Sequence, residues 1–131
     1  VLWHQLGVAK AKKSEALPAA AFPRLRVKCG RNAMLGPGRV QLLELIAETG
    51  SLRAAAARME MAYLTAWKHV QVLNARFRSP VVASQRGGRA GGGAALTPMG
   101  RRVVGLYHQL EARSHAAMEK KLREFQALLK R

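Results

Sequence analysis

The sequence predicts an α+β, mainly α domain: three short helices, a two-stranded hairpin and one long final helix. Helical periodicity returns four times between Arg39 and the end of the chain. A glycine cluster (Gly87, Gly88 and Gly91 to Gly93) separates two short apolar runs, as a hairpin tip would. Only two Trp, two Tyr and three Phe are present, so Ala, Leu and Val must supply the core volume, which suits closely packed helices.

Residues 1–21 carry Lys10, Lys12 and Lys13 without sustained periodicity and read as a flexible basic arm. From Phe22 to Cys29 the pattern alternates. Leu25, Val27 and Cys29 share one face and Arg24, Arg26 and Lys28 the other, which predicts a half-exposed strand. The turn from Gly30 to Gly38 leads into a helix over 39–49, with Val40, Leu42, Leu43, Ile46 and Ala47 inward and Gly50 as its stop. Ser51 caps a short helix over 52–59, whose Leu52, Ala55, Ala56 and Met59 face inward. A third helix spans 63–78, with Trp67, Val70, Leu73 and Phe77 as its apolar positions and Pro80 beyond its end. Residues 81–85 and 94–96 then form the hairpin strands around the glycine tip. Thr97 caps the last helix, with Pro98 in its first turn.

That order is a winged helix-turn-helix with a long C-terminal dimerisation helix. The expected division is an arm (1–21), a winged domain (22–97) and the long helix (98–131). The last helix carries a stripe of Val103, Leu106, Leu110, Ala117, Leu122, Phe125 and Leu129. Such a stripe needs a cover, and an identical helix is the simplest one, so a homodimer is expected.

Charge narrows the partner. Twenty-three Lys and Arg stand against seven Asp and Glu, a net charge of +16. Residues 62–96 hold five basic residues and no acidic one. A surface facing a polyanion needs that composition, because a carboxylate there repels phosphate. Double-stranded DNA is therefore the expected partner. Cys29 is the one cysteine, which excludes an intramolecular disulfide and fits a reducing compartment. No apolar run approaches a membrane span, and the N-terminus lacks the pattern of a secretion signal, so a cytoplasmic, non-membrane protein is expected.

The third helix suits the major groove, where Thr65, Lys68 and His69 can reach base edges. Ser51 and Arg53 lie at the start of the second helix, whose amides favour a phosphate. Tyr63 offers a hydroxyl for a phosphate or packs. At the wing tip Arg86 and Arg89 stand on a backbone with little side-chain bulk, fit for the sugar–phosphate edge or the minor groove.

Thr49-Gly50-Ser51, Tyr63 followed by Ala66-Trp67, Leu73-Asn74, the glycine tip and Leu96-Thr97-Pro98-Met99-Gly100 together resemble the N-terminal domain of ModE-type molybdate-responsive regulators. They are similar, more distantly, to the LysR-type winged helix. The resemblance covers roughly residues 22–115 and implies a dimeric bacterial transcription regulator that reads a pseudo-palindrome. Two positions depart from it. Members carry a small hydroxyl residue before the tyrosine and a basic residue after it, where this chain has Ala62 and Leu64. In those regulators oxyanion binding belongs to a separate C-terminal domain, and no molybdate-binding domain is expected in this chain.

Other classes have less behind them. Glu44, Glu48 and Glu60 have no Ser, Cys or His constellation near them in sequence, so no enzymatic activity and no cofactor are expected. His108 and His115 stand seven apart, too far for a shared metal without further ligands, so no metal site is expected either. A non-specific architectural nucleic-acid binder and a protein-interaction adaptor on the same scaffold remain alternatives, the first favoured by +16 and the altered recognition positions.

Overall fold

The computed structural model describes residues 21–31, 33–85 and 93–130. In chain order its elements are β1 (Val27–Lys28), β2 (Met34–Leu35), α1 (Pro37–Thr49), α2 (Leu52–Arg58), α3 (Tyr63–Asn74), β3 (Val82–Gln85), β4 (Gly93–Leu96) and α4 (Pro98–Gln126). This is the expected mainly helical winged helix-turn-helix with a long C-terminal helix. Residues 26–106 form one compact unit, and the described residues 21–25 and 107–130 belong to a second. The division thus falls within α4, not at its start. Its first turns pack with the winged domain. The basic arm expected over 1–21 lies, apart from Ala21, outside the described residues.

The strand expected over 22–29 is only two residues long. Its partner, β2, has just two residues to offer, pairing Val27 with Leu35 and Lys28 with Met34. The Cys29 N–H closes the turn on the Ala33 carbonyl at 2.8 Å.

Helix α1 starts at Pro37, whose missing N–H costs nothing in a first turn. It buries Val40, Leu42, Leu43 and Ile46, while Ala47 is exposed and not inward as its spacing predicts. Gly50 ends the helix at φ 70, sending its N–H to the Ile46 carbonyl. A left-handed residue there favours glycine. Ser51 then caps α2 as expected, its Oγ accepting the Ala54 N–H at 3.1 Å. The end of α2 is a Schellman turn: Met61 N–H meets Ala56 O and Glu60 N–H meets Ala57 O, both at 3.0 Å. Glu60 takes the left-handed position, at φ 54.

Helix α3 departs from its expected packing. Its buried stripe is Ala66, Val70 and Leu73, and Trp67 is 43% exposed, where the sequence pattern assigns it to the core. The cause lies in α2, which packs against α3 and carries the fully buried Ala55 and the buried Ala56. Helices meeting over alanines approach closely, and Ala66, itself fully buried, fits where an indole would not. The helix also ends at Asn74, not at 78. Asn74 Oδ1 accepts the N–H groups of Val81 (2.8 Å) and Val82 (3.2 Å), and Nδ2 donates to the Val82 carbonyl at 3.2 Å. Phe77 follows outside the helix, half-buried.

Strands β3 and β4 pair antiparallel, from Val82 with Leu96 to Gln85 with Gly93. The Ala94 N–H also reaches the Gly50 carbonyl at 3.0 Å, tying β4 to the turn between α1 and α2. A Cβ on Gly93 would stand 3.0 Å from that same oxygen. Thr97 caps α4, its Oγ1 accepting the Gly100 N–H at 3.0 Å. In the second unit, Tyr107 is buried and donates its hydroxyl to the Leu25 carbonyl at 2.7 Å, a contact its place in the last helix did not predict.

Gly100 is the tightest joint. A Cβ there would lie 2.2 Å from the Val81 carbonyl oxygen. The oxygen belongs to the main chain, so no flexible side-chain end can yield. Gly100→Ala is expected to destabilise the winged unit by about 1–3 kcal/mol, measured as a lowered urea midpoint at unchanged slope.

Candidate nucleic-acid interface

Turning roughly 100° per residue, α3 buries Ala66, Val70 and Leu73 on one side and sends Leu64, Lys68 and Gln71 to the other. All three are exposed, and Leu64 is 58% so. Tyr63 (41% exposed) and Trp67 border this face on one flank, with the exposed Thr65 on the opposite flank. The Arg53 guanidinium of α2 lies 4.6 Å from the centre of the Tyr63 ring. That stacking links the first turns of the two helices and fixes one cation at the edge of the face. No carboxylate occurs from residue 62 to residue 96.

Of the expected site residues, Arg53, Tyr63, Thr65 and Lys68 are exposed on α2 and α3, and Arg53 and Tyr63 are brought together. Ser51 serves first as a helix cap, although its hydroxyl keeps a proton to donate. His69 is placed differently. It is half-buried on the α1 side of α3, and its Nδ1 accepts a hydrogen bond from Arg39 Nε at 3.0 Å. Arg39 is held further by donating to the Met34 carbonyl at 2.7 Å. Both residues line a cleft of about 590 Å³ with Arg26, Lys28, Met34 and Met61. Arg76, exposed, donates to the Arg31 carbonyl at 2.7 Å. The wing residues Arg86 and Arg89 lie outside the described residues.

Leu64, Trp67 and Gln71 belong to the exposed face but were missed by sequence reasoning. The stripe through Trp67 and Val70 and the one through Ala66 and Val70 differ by one residue. The small size of Ala66, in a chain whose α2 also buries Ala55 and Ala56, was the available signal. Chemically the face offers hydrogen-bond donors, one ammonium and apolar bulk. Among the described residues, no three His, Cys, Asp or Glu side chains come together as metal ligands, and no helix is long and apolar enough to cross a membrane.

Burial, and then the neighbouring Arg39 charge, lower the pKa of His69 below its usual 6.5. The folded state thus binds this proton more weakly than the unfolded chain. The stability tied to neutral His69 is full above pH 6.5 and is lost as pH falls from there through the depressed folded value. Protonation also removes the acceptor that Arg39 uses. Between pH 7.5 and 5.5 the urea midpoint of the wild type is expected to fall more than that of His69→Gln, which cannot titrate.

Comparison with known proteins agrees with this geometry. The chain is 45% identical over 80 residues to the molybdenum-pterin-binding protein MopB of Rhodobacter capsulatus, covering 61% of this chain and 30% of that protein. It is 37% identical over 86 residues to the molybdenum transport protein ModE of Azotobacter vinelandii, covering 66% and 32%. With the DNA-binding transcriptional dual regulator ModE of Escherichia coli K12 it shares 34% over 86 residues, covering 66% and 33%. The chain thus spans about a third of the length of these relatives. The family model described as the bacterial regulatory helix-turn-helix protein, lysR family, matches residues 38–101, from the first turn of α1 to the first turn of α4. Residues 38–101 thus match a LysR-type helix-turn-helix model, and a stretch of 80 to 86 residues of the chain is similar to part of these relatives.

Proposed function

We propose that this chain is the DNA-reading part of a bacterial transcriptional regulator, acting as a homodimer with α3 in the major groove. One observation carries the reading: the outer face of α3 is exposed, carries Lys68 and Thr65, and is held by α2 in a helix-turn-helix free of carboxylates from residue 62 on. A major groove accepts a helix, and its base edges accept from an ammonium or a hydroxyl. In this reading Arg86 and Arg89, in the Gly-rich segment between β3 and β4, meet the backbone or the minor groove. The names of the aligned relatives, which include transcriptional regulators, support the same role. The aligned stretch is a third of each of them, so the proposal is confined to DNA binding and does not extend to molybdate.

Dimerisation rests on α4. Leu106 (42% exposed), Leu110 (47%) and Phe125 (57%) recur along it, and Leu129 (41%) follows past its end at Gln126. Leu122 is half-buried, and Val103 is already buried at 8%, so it offers a partner little. At ~1.5 Å per residue, the 29 residues of α4 provide a seam long enough for a stable pair.

The net charge of +16 favours a second reading, a non-specific binder, and one experiment separates the two. In fluorescence anisotropy at physiological salt, selected genomic fragments are expected to bind well above the background of random duplex. Equal binding to all fragments would replace the regulator by the architectural protein. Lys68→Ala is expected to weaken specific binding by roughly 1–3 kcal/mol and to relax discrimination at one base pair. A uniform loss across sequences would instead assign Lys68 to phosphate. Replacing Leu110 and Leu122 together by Glu is expected to give monomers in light scattering, and a surviving dimer would move the interface elsewhere.

A further inference from the structure

The outer face of α3 holds apolar bulk that hydrogen bonding to base edges does not use. Leu64, at 58%, is the most exposed apolar side chain of the helix-turn-helix, and Trp67 stands one turn further at 43%. At a spacing of three residues they are neighbours on the helix surface, and Lys68, four residues on from Leu64, is a neighbour of Leu64. Neither is drawn into the domain. The buried stripe of α3, Ala66, Val70 and Leu73, lies on the far side of the helix.

We infer that Leu64, flanked by Trp67, is a specificity-determining residue that selects thymine by packing on its C5-methyl group in the major groove. The inference rests on the proposed placement of α3 in DNA. Charge decides the occupant. Arg53 and Lys68 border the apolar pair, and no carboxylate occurs from residue 62 to residue 96, so the surface complements a polyanion. Within the major groove of a polyanionic duplex, the apolar group on offer is the thymine methyl. Leucine can neither donate nor accept a hydrogen bond. Against the amino group of cytosine or adenine it would strip water and return nothing, so it selects by penalty as well as by contact. Trp67 supplies a wall that keeps water from the contact.

The test uses duplexes selected from random DNA by the 131-residue chain. Each thymine of the preferred site is replaced in turn by deoxyuridine, which lacks only the methyl, and affinity is read by anisotropy. At one or two positions per half-site the wild type is expected to bind three- to fivefold more weakly, the worth of about one buried methyl. The Leu64→Ala, Trp67→Ala variant is expected to bind thymine and deoxyuridine equally there. Unchanged affinity after every replacement would overturn the inference while leaving specific binding intact. So would methyl sensitivity that persists in the variant. Failure to enrich any sequence would instead overturn the proposed function. The deoxyuridine series needs no protein variant, so it decides even if the variant folds poorly.

Discussion

The winged unit depends on the main chain of one residue, Val81. This residue is fully buried, and a buried main-chain group must find partners for both its N–H and its C=O. The N–H goes to the Asn74 side chain at the end of α3. The C=O receives the Thr97 N–H at 3.0 Å and lies against Gly100 in the first turn of α4. Three elements distant in sequence therefore meet on four atoms. Asn74 ends α3 by supplying the acceptor for the Val81 and Val82 N–H groups. Thr97 closes the opposite side while capping α4, and its hydroxyl reaches the Pro80 carbonyl as well. Loss of any one of these contacts would leave a buried donor or acceptor unmet, which costs about 1–3 kcal/mol each.

A second joint fixes the wing against the helix-turn-helix. Gly50 both ends α1 and offers its carbonyl to β4, and Gly93 leaves room for that approach. The hairpin is thereby set at the start of α2, beside the Ser51 cap. Thr49, Gly50 and Ser51 look like a plain helix stop followed by a plain helix start. Their fuller role is to bring wing and α2 together, so that the amides of α2 and the hairpin strands share one neighbourhood.

Local chemistry made much of this legible in the sequence. Ser51 and Thr97 cap as their residue types predict, Gly50 stops α1, and the strands flanking the glycine tip pair in the expected antiparallel sense. What escaped was set by tertiary packing. The end of α3 came four residues early because Asn74 is recruited by a strand eight residues on, and no local propensity signals that. The strand before α1 shrank because its length is set by β2. Among the expected site residues, Arg53, Tyr63, Thr65 and Lys68 are exposed together. His69 was diverted by Arg39, a residue thirty positions away that sequence spacing cannot bring to mind.

The rotation of α3 is the difference with functional weight. An amphipathic helix with a tryptophan is ordinarily expected to bury it, since the indole carries the largest apolar area. Here the gain from burying Trp67 is outweighed by geometry. Ala55 and Ala56 of α2 and Ala66 of α3 are all buried and the two helices pack together, so bulk at these positions would overpack the core. Small residues build the scaffold, and large ones are left for its outer face. Leu64 and Trp67 are exposed because the helix pair is tight, and the same tightness holds them at a fixed angle to Lys68. A recognition surface needs that rigidity, because contact with one methyl group distinguishes bases only if the side chain making it cannot drift to the next base pair.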